Sequence, residues 1–136
     1  MARVGSAVIG IAADGEGPAY AYTVGLIHSH GHPELVVFGL PMERAIALLN
    51  DMGQQIKGGR VYAESQRYAD LVHSYETRMD KINPRHHKEY LGFCRWFYRG
   101  DGFSALQVVW PDPQYRFPDE PDFESRLRPA QPLLSE

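Results

Sequence analysis

Apolar positions recur along this chain with two periods, and each period predicts a set of elements. Arg3 to Ala13 alternates weakly, with Ala7, Ile9 and Ile11 on one face, which is the period of a strand. Asp14-Gly15-Glu16-Gly17-Pro18 then reads as a turn, since glycine takes positive φ at little cost. Ala19 to Leu26 predicts a second strand, joined to the first as a hairpin. Its faces differ. Tyr20, Tyr22, Val24 and Leu26 are bulky; Ala19, Ala21, Thr23 and Gly25 are small and admit a packed helix or a ligand close to the backbone. Leu35 to Gly39 is apolar throughout, the pattern of a strand buried on both faces.

Helical spacing takes over after Pro41. Ala45, Leu48, Leu49, Met52 and Ile56 share one face, and Gly58-Gly59 is a stop signal, so a helix is expected over Pro41–Lys57. Arg60 to Gln66 and Tyr68 to Met79 alternate and are read as strands. Asn83-Pro84 is a helix start, and the spacing predicts a helix over Pro84–Tyr98 with His87, Leu91, Cys94 and Phe97 or Tyr98 inward. After Gly100-Asp101-Gly102, Phe103 to Trp110 predicts a last strand, with Leu106, Val108 and Trp110 on one face. From Pro111 onward six of the ten prolines fall within 26 residues, which excludes a long helix or central strand. Residues 111–136 are therefore expected to wrap the surface, with Leu133-Leu134 docking near the end. The sum is an α+β fold over residues 1–136 as a single domain. It has a largely antiparallel mixed sheet, open to curling into a partial barrel, two helices as lids, and a proline-rich C-terminal tail.

Composition narrows the function classes. Hydrophobic residues are 43% and charged residues 23%, ordinary values for a globular chain. With 14 basic and 17 acidic side chains the net charge is −3, which argues against nucleic acid or an anionic membrane surface as the general partner. The single cysteine, Cys94, excludes an internal disulfide and a cysteine-rich zinc site. No apolar run approaches the roughly 20 residues of a membrane helix. The first residues lack the apolar core of a signal peptide, so a cytoplasmic location is expected. Self-association is left open.

Four constellations carry candidate chemistry. His28, His30, His32 and Glu34 alternate, and imidazole with carboxylate suits zinc, iron or nickel; Gly31 and Pro33, however, point to a turn that would spoil a common face. Cys94 would need an exposed, electropositive setting to act as a nucleophile, whereas Phe93, Trp96 and Phe97 around it fit a small buried hydrophobe. Tyr20, Tyr22, Trp96, Tyr98 and Trp110 would stack on a planar ring, with Thr23, Gln107 and Asp112 fixing its polar edges. Gln107 stands out, because an amide in an apolar strand must be partnered, exposed or facing a pocket. Arg85-His86-His87-Lys88 would mark either an anion site or a solvated helix end.

Several motifs together resemble a bacterial family catalogued as a domain of unknown function, number 4262. They are Tyr22 to Leu26 (YTVGL), Gly31 to Leu35 (GHPEL), Phe38 to Pro41 (FGLP), Leu49-Asn50, Phe97-Tyr98, Leu106 to Asp112 (LQVVWPD) and Gln131-Pro132. The likeness runs from about Gly15 to Leu134. It implies no established activity. It places His28 and His32 within the family's motif and His30 at a variable position.

The leading expectation is a small-molecule-binding domain for a nucleotide-like or flavin-like ring, with Tyr22, Thr23, Gly25, His28, His32, Glu34, Gln107, Trp110 and Asp112 as ligand-binding residues. Gly25, His28, His32, Glu34 and Gln107 are expected to converge on one concave site. The alternatives are a metal-dependent enzyme using His28, His32 and Glu34, and a protein-interaction module whose aromatic surface and proline tail form the interface.

Overall fold

The computed structural model describes residues 6–15, 17–73 and 75–136. It is an α+β fold whose six strands form one open sheet in the order β1-β2-β3-β6-β5-β4. The strands are β1 (Ala7–Ile11), β2 (Tyr20–Val24), β3 (Glu34–Phe38), β4 (Arg67–Val72), β5 (Tyr75–Lys81) and β6 (Ala105–Val109). Every pairing is antiparallel except β3 with β6. β1 and β4 are the edges, so the sheet does not close into a barrel.

The two central strands, β3 and β6, are buried at every position. Their largely apolar sequence, broken only by Glu34 and Gln107, follows from cover on both faces. One face carries α2 (Met42–Lys57), which buries Ala45, Leu48, Leu49, Met52 and Ile56 as its spacing predicts. Burying a large aliphatic side chain contributes about 1.5–3 kcal/mol, against about 0.5–1 kcal/mol of rotamer entropy for Leu or Ile. This face therefore holds the helix down. Ala21, Leu35, Val37, Met79, Leu106 and Val108 complete that layer. The opposite face gathers Tyr22, Val36, Phe38, Ile82, Leu91, Cys94, Phe103, Ala105 and Leu134 under α3 (His87–Tyr90), α4 (Gly92–Tyr98) and the tail.

Several expected boundaries change. The turn before β2 is held by Asp14, whose Oδ1 accepts from Gly17 N–H at 2.9 Å; Glu16 lies outside the described residues. The second strand stops at Val24, because Leu26–His30 forms a short helix, α1. The histidine-rich segment is thus partly helical. Arg60 to Gln66 is not a strand, and Tyr68 to Met79 is not one strand but the core of the β4–β5 hairpin, which reverses between Val72 and Tyr75. No glycine, proline or asparagine marks that reversal, so the alternation passes through it unpunctuated. Residue 74 lies outside the described residues.

The expected helix over Pro84–Tyr98 is broken. Asn83 caps a 3-10 turn, Pro84–His86, by accepting from Arg85 N–H at 3.1 Å. α3 follows, and Leu91 leaves the helical region before α4 begins. A break frees backbone groups, and β2 takes up two of them. Tyr20 Oη donates to Tyr90 O at 2.8 Å, and Tyr22 Oη accepts from Phe93 N–H at 3.2 Å. In the tail, Ser125–Ala130 is a 3-10 helix and Leu134 docks in the core, while Leu133 stays half-buried.

Candidate functional site

β2 builds two different regions from its two sides. At its C-terminal end Gly25 takes φ 108°, a left-handed conformation that a side chain would strain, and turns the chain into α1. The first N–H groups of a helix have no partner within it. Here Glu34, at the start of β3, accepts from Gly25 N–H at 3.0 Å, Leu26 N–H at 3.2 Å and Ile27 N–H at 3.4 Å. Thr23 Oγ1 donates to the same carboxylate at 2.7 Å and accepts from Leu35 N–H at 2.9 Å. Tyr98 Oη donates to Glu34 as well, and accepts from His28 N–H at 3.4 Å. Glu34 and Thr23 are fully buried. Burial pushes the Tyr98 hydroxyl up from its ordinary range, and the bond to Glu34 and its charge push it further. Gly25 and Glu34, two of the five residues expected to converge, thus meet, with Thr23 beside them, but as a closed polar knot that stitches β2, α1, β3 and α4.

The remaining predicted residues lie elsewhere. His28 is exposed on α1, edge-on to Phe97. His32 is buried; its Nε2 accepts from Tyr62 N–H at 2.9 Å, which leaves the proton on Nδ1 for Pro33 O at 2.8 Å. Gln107 donates to Pro132 O at 2.7 Å and accepts from Leu134 N–H at 3.0 Å, so the amide in the apolar strand fastens the tail. Trp110 Nε1 donates to Phe38 O at 2.7 Å, and its main chain exchanges two bonds with the Gln131 amide. Gly39, φ 82°, lets that indole in; a Cβ there would sit 2.7 Å from the ring and 2.8 Å from Ala130 O. Asp112 organises the tail by accepting from the N–H groups of Gln114, Arg116 and Glu124 and from Arg116 Nε. Desolvation alone would raise its carboxyl; the donors outweigh that and hold it below the usual range.

Gly25, His28, His32, Glu34 and Gln107 therefore do not converge. His32 is tied to Tyr62 in the α2-side core, and Gln107 to Leu134 in the core of the opposite face. Among the described residues no three His, Cys, Asp or Glu side chains are placed to hold a metal ion. Cys94 is buried, with its Sγ donating to Thr23 O at 3.3 Å, and burial pushes the thiol up. The basic cluster is divided, with Arg85 and Lys88 exposed and His87 buried against Phe103.

The bulky side of β2 opens instead on a groove of about 510 Å³. Tyr20, Tyr22, Tyr90, Phe93 and Trp96 wall it, and Ile11, Lys88 and Glu89 line it with them. Tyr22 forms buried floor, whereas Trp96 is 74% and Phe93 52% exposed. Burial first, then the charges around it, pushes the Tyr20 hydroxyl up to about 12; burial also raises Tyr22 and Tyr90. The phenols are neutral at physiological pH. Tyr20 spends its proton on Tyr90 O, whereas Tyr22 Oη accepts from Phe93 N–H, and its own proton has no acceptor among the described residues. Two other grooves differ in kind. One of about 840 Å³ between β5 and the tail is lined with ion-paired charge, Arg78 lying against Asp80 and Asp119. One of about 570 Å³ lies among Pro18, Pro129, Pro132 and Tyr90.

A family model described as a domain of unknown function (DUF4262) matches residues 1–124. The chain belongs to that family. The DUF4262 match takes in the polar knot, the aromatic groove and the Asp112 loop. It ends before Gln131-Pro132, which the motif resemblance includes. No curated protein and no solved structure matches the chain.

Of the nine residues expected to bind ligand, Tyr22 alone lines the aromatic groove; Tyr20 and Trp96, expected to stack, line it too. Tyr90 and Phe93 were missed. The signal for Phe93 was present: Phe93, Trp96 and Phe97 form a second helical stripe, offset from the inward Leu91, Cys94 and Tyr98. Phe97, read as inward, is 42% exposed because it belongs to this second stripe.

Proposed function

We propose that this domain binds a small molecule with a planar ring in the groove between β2 and the α3–α4 segment. The observation that carries the reading is the wall itself, five aromatic side chains lining one groove with Tyr22 as its buried floor. Ligand sites are commonly built in this way, with much apolar surface and few placed polar groups. The exposed indole and phenyl meet edge-on, with centroids 6.4 Å apart, and each offers a face on which a ring can stack; offset stacking contributes about 0.5–1.5 kcal/mol beyond burial. Lys88 at the margin suits an anionic substituent of the kind nucleotides and flavin phosphates carry. No catalytic step is proposed: the one thiol is sealed in the core and Glu34 is saturated with donors.

The test is titration of the protein with flavin mononucleotide, riboflavin and adenosine monophosphate, read by tryptophan fluorescence and thermal shift. Saturable quenching with a raised Tm is expected from at least one, and should vanish in Trp96→Ala. Tyr22→Phe should weaken it, with a stability loss of about 1 kcal/mol from the Phe93 N–H that loses its acceptor. Absence of saturable binding by all three removes the ring-binding reading.

A further inference from the structure

The two edges of the sheet are unlike. β4 carries Arg67 and Asp70, Asp70 is gripped by Arg60 at 2.6 Å, and its register with β5 is irregular between Tyr68 and Val72. Charge and irregular pairing are how natural sheets keep an edge from recruiting another strand. β1, Ala-Val-Ile-Gly-Ile, has neither. It contains no charged residue and no proline, and all five of its residues pair with β2 in unbroken register.

Apolar side chains also flank the β1 edge on both faces of the sheet. On one face Val8 lies with Met42 and Ile46 of α2, all partly buried, and Met42 Sδ packs over Gly10. On the other, Ile9 and Ile11 are partly buried, and Ile11 borders the groove that exposes Phe93 and Trp96. A strand added beside β1 would pair the outward main-chain groups that have no partner strand among the described residues, and would cover both flanks at once.

We infer that β1 is a pairing edge and that its occupant is β1 of a second copy, giving an antiparallel, two-fold dimer with one continuous sheet. An isologous contact needs a surface that matches itself. A strand without charge meets that need, because self-pairing sets no like charges opposite one another, a destabilising arrangement across strands. The apolar flanks match in the same way, since the two-fold brings each flank onto its own copy. This inference does not depend on ring binding.

The experiment is size-exclusion chromatography with light scattering on the full chain over a dilution series. Twice the mass of one chain is expected at high concentration, falling toward one chain on dilution. Ile9→Lys should give one chain mass at every concentration with an unchanged far-ultraviolet circular dichroism spectrum. Ala7→Lys, at an exposed position, is the second variant should Ile9→Lys fail to fold. Asp70→Lys on the β4 edge should leave the doubled mass intact. A wild-type chain that is monomeric up to its solubility limit overturns the inference, as does a doubled mass that persists in the folded β1 variants.

Discussion

The polar knot at Glu34 and the aromatic groove lie on the same strand, yet they are opposite kinds of surface. In the knot five donors meet one buried carboxylate, and α1, β3 and α4 are fixed by it. In the groove the Phe93 and Trp96 rings face solvent, and the Tyr22 hydroxyl proton has no acceptor among the described residues. A buried polar cluster whose members are all partnered is built for rigidity, because each member is expensive to leave alone. An aromatic wall left open spends surface that burial would have used. The difference separates residues that hold the fold from residues free to bind.

The largest effect should come from breaking the knot. Glu34→Ala removes the acceptor for three N–H groups and two hydroxyls, and a buried donor left unsatisfied costs about 1–3 kcal/mol. Relaxation and water will recover part of the sum. A net loss of about 3 kcal/mol, the upper end of that range, is expected in urea denaturation. A loss below about 1 kcal/mol would show that the knot is not what fixes α1.

Gln107→Leu should follow. It strands Pro132 O and Leu134 N–H, so about 1–3 kcal/mol is expected, together with faster proteolysis within residues 125–136. Unchanged proteolysis would mean that Leu134 burial alone secures the tail.

His87 supplies a pH-dependent effect. Both of its ring nitrogens are buried without a hydrogen-bond partner among the described residues. Burial lowers its pKa below 6.5; Asp101, 3.7 Å away, opposes this, and Arg95 and His86 add to it. The unfolded chain therefore binds the proton first. The stability this histidine allows is complete above about 6.5, falls as pH drops through that value, and levels off below the folded pKa. His87→Phe, which keeps the stack on Phe103, should flatten the acid limb of a Tm-against-pH curve. An unaltered limb assigns the acid sensitivity to other groups.

Trp96→Ala should change stability least, within about 0.5 kcal/mol, as exposed substitutions do, while abolishing ring binding. A large stability loss would move Trp96 to the same side of the comparison as Glu34.

Much of the architecture was legible in the chain. Five apolar positions at helical spacing gave α2, and a run without polar residues gave β3 as a doubly covered strand. Local rules reach that far because period and burial are linked directly. They failed where a distant group replaced a local partner. α1 begins without a cap of its own, since Glu34 supplies the acceptor from eight residues beyond its first residue. The helix over Pro84–Tyr98 breaks at Leu91 because hydroxyls from Tyr20 and Tyr22, some 70 residues earlier, satisfy what the break exposes. The Gln107 amide was correctly singled out as needing partners, but the partners are main-chain groups of the tail.

The sequence by itself determined the class of fold, the core faces of α2 and the central strands, and the burial of Cys94. Side-chain size and spacing are enough for those, because burial free energy is set largely by the residue itself. Tertiary structure alone decided that His28, His32 and Glu34 stand apart, that Glu34 is consumed by backbone donors, and that the aromatics face a groove rather than a core. Those outcomes depend on which polar group finds which partner across the sheet, and a hydrogen bond between residues 70 positions apart leaves no period in the chain.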